Sequence, residues 1–140
     1  HMIDEVVRHI KNQYSSIQNV GIMATTETMK AKVYHDELIE NRLNPVTISQ
    51  DEQDTIVEPA IYHKDFGVKA FSNPIKPEAR RNLDTGIELL INKGAEIIIL
   101  GCTEIPLAFP ESNYNGIPLI DSTKILARAL ILNSNPDLLK

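Results

Sequence analysis

Four short apolar runs, each separated from the next by a stretch that reads as helix or polar loop, constrain this chain more than any other feature. They are NVGIMAT at 19–25, NPVTIS at 44–49, EIIIL at 96–100 and GIPLID at 116–121. Each is short, contains β-branched residues and is bounded by turn-forming residues, which marks strands rather than pieces of buried helix. Parallel strands need crossover connections, and a helix between successive strands supplies one. The expectation is therefore an α/β fold: a three-layer arrangement in which a parallel sheet of about four strands is flanked by helices, in one domain over 1–140.

The intervening segments support this. Ile3, Val6, Val7, Ile10 and Tyr14 recur at steps of three and four, the spacing of one helix face. Thr26, Glu27 and Thr28 stand where they would cap a helix over 30–43. KPEARRNLDTGIELLINKG opens with Pro77 in a first turn, keeps Ala79, Leu83, Ile87, Leu90 and Ile91 in phase, and ends at Gly94. A last helix, capped by Asp121 or Ser122, runs to Leu132. Over 51–54 the chain turns polar and acidic, and 55–77, with Pro59, Gly67, Pro74 and Pro77 among Tyr62, Phe66 and Phe71, reads as a short helix followed by a long functional loop.

Composition narrows the function. With 42% hydrophobic and 24% charged residues, 140 residues suffice for one core. A net charge of -5 without any lysine or arginine block argues against nucleic acid as partner and for a small molecule. A single cysteine rules out an intramolecular disulfide or a multi-cysteine metal site, and suits a reducing compartment, so a cytoplasmic location is expected. His1 and Met2 read as a cloning remnant, and no run approaches the roughly 18 apolar residues of a membrane span. His9, His35 and His63 lack metal-ligand spacing and read as surface or helix-face residues, so no metal is expected. GIMATT lacks the glycines of a nucleotide-binding loop.

In parallel sheets, ligands bind outside the carboxyl ends of the strands. Two of those ends carry candidate chemistry, MATTET and LGCTEI. Cys102 follows Gly101, which permits a tight turn, and precedes a short apolar run that can begin a helix. A lone cysteine is usually a small buried hydrophobe. At a helix N-terminus, however, backbone N–H groups lower a thiol's pKa and favour thiolate. Thr103 and Glu104 either cap that turn or bind a substrate and orient the thiol. Thr25, Thr26 and Thr28 carry the same two readings at the other strand end, where hydroxyls and turn amides suit an anion. Lys69, in FGVKAFSN, is either a solvated side chain or the cation that an acidic substrate requires.

VGIMATTETMKAKVY, LGCTEIPL and IPLIDSTKILARAL, in that order, resemble the aspartate/glutamate racemase family, the cofactor-independent amino-acid racemases. The resemblance covers most of the chain from Asn19 to Leu132, and GCTE is its most specific part. It implies one half of a two-domain fold, in which two similar α/β domains face each other across a cleft and each places one cysteine on opposite faces of the substrate's α-carbon. It also implies that no cofactor is used. By motif, Cys102 is one of the two thiols, Thr103 a binder of the substrate carboxylate and Glu104 the neighbour that tunes or orients the thiol. Thr25 and Thr26, with Thr28 beside them, match the substrate-binding turn of the second domain, and Lys69 matches a lysine near the cleft. Glutamate after the threonine resembles the aspartate-racemase branch, where the glutamate-racemase branch has GCTH.

The family's other cysteine lies in a CNTAH-type block of the preceding domain, which this chain lacks. The resemblance is thus to the C-terminal domain, with a first domain as partner and a homodimer as the expected assembly. IPLIDSTKILARAL would then run back to that first domain, so its helix is expected to expose apolar surface or pack differently. Two other readings stay open: a one-cysteine enzyme of the arylmalonate decarboxylase type, whose single thiol protonates an enolate, and a non-catalytic domain that binds acidic amino acids.

Overall fold

The computed structural model describes residues 1–139. Its element order begins α1 (Met2–Gln13), β1 (Asn19–Met23), α2 (Thr26–Ala31), α3 (Val33–Glu40) and β2 (Asn44–Val46). Next come α4 (Gln50–Glu52), a π-helical turn (Gln53–Val57) and α5 (Glu58–Tyr62), then α6 (Pro77–Asn92) and β3 (Ile97–Leu100). A 3₁₀ turn (Ile105–Ala108), β4 (Asn113–Tyr114), β5 (Ile117–Asp121), α7 (Ser122–Ser134) and a 3₁₀ turn (Pro136–Leu139) follow.

The strands form one sheet in the order β2-β1-β3-β5-β4. β2, β1, β3 and β5 are mutually parallel, and β4 alone pairs antiparallel, with β5. The four expected strands are all present. The fifth, β4, is one arm of a two-residue hairpin whose corner is Asn115 at φ 49° and Gly116 at φ 89°. Both corner residues need positive φ, which is why an Asn-Gly pair makes this turn.

Successive strand residues face opposite sides of the sheet, which sorts the core into two clusters. Val20, Ile22, Ile97, Ile99 and Ile120 meet Val6, Val7 and Ile10 of α1 and Tyr34 and Leu38 of α3. Met23, Ile98, Leu100 and Leu119 meet Val57, Ala60 and Ile61 of the π-turn and α5, and Leu83, Ile87 and Leu90 of α6. Helices therefore cover both faces, giving the three layers.

Two helical expectations need correction. The helix expected over 30–43 starts earlier, at Thr26, with Thr25 as its N-cap, and breaks at Lys32, whose φ of 57° separates α2 from α3. Residues 51–54 are helical too, because Ser49 Oγ accepts the Glu52 N–H at 3.1 Å and starts a continuous helical run over 50–62. Its periodicity is blurred by the π-turn, where the Glu58 N–H reaches back to the Gln53 carbonyl and the helix faces rotate.

Candidate functional site

β3 ends at Leu100, and the Gly101 N–H continues the ladder by donating to the Met23 carbonyl at 2.8 Å. Glycine is required here by space. A Cβ on Gly101 would lie 2.9 Å from Tyr34 Cε2 and 3.2 Å from the Ala24 Cβ. The chain then turns into Cys102, half-buried at the carboxyl end of the sheet's middle strand.

The thiol of Cys102 donates to Glu104 Oε2 at 2.9 Å, and the Thr103 hydroxyl donates to the same oxygen at 2.8 Å. Lys69 Nζ lies 3.0 Å from the other carboxylate oxygen. Glu104 precedes the 3₁₀ turn but makes no side-chain cap to it, so its carboxylate is committed to these three donors. Of the two readings for Glu104, capping is the one the geometry discards.

The electrostatics follow from this arrangement. Hydrogen bonds from Cys102, then Thr103 and Lys69, hold the Glu104 carboxyl down to about 2 against the opposing effect of burial. Burial, and then the Glu104 carboxylate, push the Cys102 thiol up to about 11. The Glu104 and Ile105 backbone N–H groups do face the sulfur and pull the other way, but they are outweighed. The expected thiolate is therefore corrected: the resting form is the protonated thiol, because burial above all, and then the anion in the nearest hydrogen-bonding position, disfavour a charged sulfur.

Lys69 reaches Glu104 from a tightly folded loop. The Val68 and Lys69 N–H groups donate to the Ala60 and Ile61 carbonyls at 2.8 and 3.0 Å, and the His63 ring stacks on Phe66 at 4.1 Å. Nζ sits 5.3 Å from the Tyr62 ring centroid, and 42% of the Lys69 side chain remains exposed, so the cation is both anchored and open to solvent. Its pKa is raised by Glu104.

The threonines at the neighbouring strand end divide. Thr25 Oγ1 caps α2 by accepting the Thr28 N–H at 3.3 Å and lies 3.0 Å from the Thr28 hydroxyl. Thr26 is buried, and Glu58 Oε2 accepts both its N–H and its hydroxyl, at 2.9 and 2.8 Å. The buried Gln53 amide donates to the Ala24 carbonyl at 2.9 Å. Cys102, Thr103, Glu104 and Lys69 thus meet directly, while Thr25, Thr26 and Thr28 stand at the carboxyl end of the adjacent strand, with Thr26 engaged by Glu58. Gln53 and Glu58 escape sequence reasoning because they lie in the blurred segment. No cluster of three or more metal-ligating side chains occurs among the described residues, and no described helix is long and apolar enough to cross a membrane.

The Asp/Glu/hydantoin racemase family profile matches residues 1–130. Among solved structures, the aspartate racemase of Picrophilus torridus is 32% identical and superposes with a TM-score of 0.73 over 95% of this chain and 51% of its own. An aspartate racemase homologue from Pyrococcus horikoshii OT3 is 25% identical, with a TM-score of 0.72 over 93% of this chain and 53% of its own. This chain thus spans about half the length of those proteins. A protein of Pectobacterium carotovorum subsp. carotovorum, described only as uncharacterized and lying in the pnlA 3′ region, is 32% identical over 132 residues, which is 93% of this chain and 81% of that protein. With the family profile over nearly its whole length and the racemase fold in its sheet and helices, this chain belongs to the Asp/Glu/hydantoin racemase family.

Proposed function

We propose that this chain supplies one of the two acid/base thiols of a cofactor-independent racemase that inverts the α-carbon of an acidic amino acid. The observation that carries the reading is the Cys102–Glu104–Lys69 cluster at the carboxyl end of β3. Inversion needs a proton acceptor on one face of the α-carbon and a proton donor on the other, since a single group tends to return the proton to the face it left. Cys102, protonated at rest, is the donor for one direction. It delivers its proton to the carbanion left when a base on the opposite face takes the α-proton, and it becomes a thiolate. In the reverse direction that thiolate removes the α-proton. Glu104 is too weak a base to take the thiol proton; its charge keeps sulfur protonated until a carbanion calls for the proton.

The half-exposed Lys69 cation, the exposed Thr103 hydroxyl and the hydroxyls of Thr25 and Thr28 suit the carboxylates of the substrate. Thr26 contributes by holding that turn through Glu58. The GCTE motif favours aspartate over glutamate. The second thiol comes from a first domain, the assembled enzyme is a homodimer, and a lone free thiol suits the cytoplasm.

Solvent-deuterium exchange at the α-carbon of L- and D-aspartate and glutamate tests this. Exchange is expected when the chain is joined to a first domain carrying the second cysteine, and Cys102→Ala should abolish it. Binding of acidic amino acids with no exchange in the joined protein would replace the reading with a binding domain. One observation favours a second enzyme reading: the chain's single thiol is set as a hydrogen-bond donor, 2.9 Å from Glu104 Oε2, and a proton donor is all that a one-cysteine decarboxylase needs. Release of carbon dioxide from a substituted malonate by the single-thiol protein would support it.

A further inference from the structure

Beneath the cysteine turn lies a buried polar chain that the proposed chemistry does not use. Tyr34 of α3 is 3% exposed and donates its hydroxyl to Ser122 Oγ at 3.0 Å. Ser122, the first residue of α7 and equally buried, donates to the Leu100 carbonyl at 3.2 Å. Leu100 is the last residue of β3, two before Cys102. The Tyr34 ring meanwhile packs on the α-carbon of Gly101, with Cε2 at 2.9 Å and Cζ at 3.4 Å from the place a Cβ would take. One side chain thus reaches both residues that carry the backbone into Cys102, Leu100 through the Ser122 hydroxyl and Gly101 by direct van der Waals contact.

We propose that Tyr34 is a positioning residue for the Cys102 thiol, its ring and hydroxyl together holding the Leu100–Gly101 backbone that aims sulfur at Glu104. A tyrosine is suited to this. The ring fills the space that Gly101 leaves open, and the hydroxyl reaches a buried carbonyl through one intermediary without leaving a polar atom unpaired. Burial above all makes the Tyr34 phenol harder to ionise, the Ser122 hydrogen bond opposes it, and Cys102 adds a smaller effect in the same direction as burial. Losing the ring lets the turn settle into the vacated space, lengthens the Sγ–Glu104 contact and admits water, and both changes favour thiolate.

The proposal rests on Cys102 being the reactive group, yet its test does not require turnover. The pH dependence of Cys102 alkylation by iodoacetamide is measured on the 140-residue chain, beside urea unfolding. Tyr34→Leu is expected to lower the thiol pKa by about one unit, an approximately tenfold rise in thiolate fraction at pH 8. Leu38→Ala, a core truncation on the same helix, should destabilise the chain without moving the thiol profile. An unchanged profile in Tyr34→Leu, or an equal shift in Leu38→Ala, overturns the proposal. If Tyr34→Leu does not fold, Ser122→Ala cuts the same link, and an unmoved thiol there overturns it equally. A shifted thiol in a protein whose joined form never exchanges α-hydrogen would uphold Tyr34 and remove the racemase reading instead.

Discussion

Glu104 receives three donors on two oxygens, and together with burial that arrangement sets the acid/base character of Cys102. A carboxylate at 2.9 Å from sulfur makes the thiolate a second negative charge beside the first. Replacing it by an uncharged amide removes the repulsion and offers N–H donors to sulfur, so Glu104→Gln is expected to lower the thiol from about 11 toward its ordinary value of 9.0, with burial still opposing ionisation. Thiolate absorbance near 240 nm, titrated on the folded chain, reads this directly, and an unmoved midpoint would refute it. The same shift has a stability consequence of fixed sign. Because the folded thiol titrates above the unfolded one, its contribution is fully present below pH 9 and is lost as pH rises through about 11. Wild type should therefore lose stability over that window and Glu104→Gln should lose less, a difference on the order of 1 kcal/mol after solvent screening.

At the scale of elements, the site depends on segments that carry no chemistry of their own. Lys69 is delivered to Glu104 by the loop after α5, and that loop closes on Gly67, where a Cβ would lie 2.6 and 2.7 Å from the His63 N and O and 2.8 Å from the Ile61 O. All three are backbone atoms, so no side chain can swing aside. Gly67→Ala is expected to cost about 2–3 kcal/mol in urea unfolding, in the upper range of overpacking, and to loosen the Lys69–Glu104 pair. A variant as stable as wild type would show that the loop has room to spare. Such dependences also explain which elements the sequence displays. β1, β3, β5 and α6 are legible because each has an uninterrupted apolar pattern and an end signal, as with Pro77 and Gly94 around α6. Of the helical run over 50–62 only the short helix after Thr55 is legible, because the π-turn breaks the 3.6-residue period at Gln53. The hairpin to β4 is marked only by the Asn115–Gly116 pair. Cys102, Thr103, Glu104 and Lys69 are visible as candidates from residue type and place. The Tyr34–Ser122–Leu100 chain is not, since it joins three segments up to 88 residues apart through contacts that exist only after folding.

On the scale of the whole molecule, α7 is out of balance with its own composition. Ile125, Leu126, Ala127, Ala129, Leu130, Ile131 and Leu132 make it one of the most apolar stretches of the chain, yet Ser122 is its one buried residue. Leu130 and Leu132 are 60% and 49% exposed. One flank of the helix rests against α1, where Arg8, His9, Ile125, Arg128 and Leu132 line a cleft of about 450 Å³. Single exposed leucines are ordinary on a protein surface; Leu130, with the part-exposed Leu126 one turn before it and the exposed Ala127 beside them, forms a face that gains from leaving water. At about 25 cal/mol per Å² of apolar surface, two leucines covered on each of two copies contribute several kcal/mol, enough to favour association at micromolar concentration only if the orientational cost is met by further contacts along the helix. The 140-residue chain is accordingly expected to self-associate through α7. Light scattering after gel filtration at about 50 µM should give a dimer mass, and Leu126→Glu with Leu130→Glu should give a monomer of unchanged helix content. A wild-type monomer across that concentration range would sink the dimer, and joining a first domain would then be the experiment that decides what covers α7.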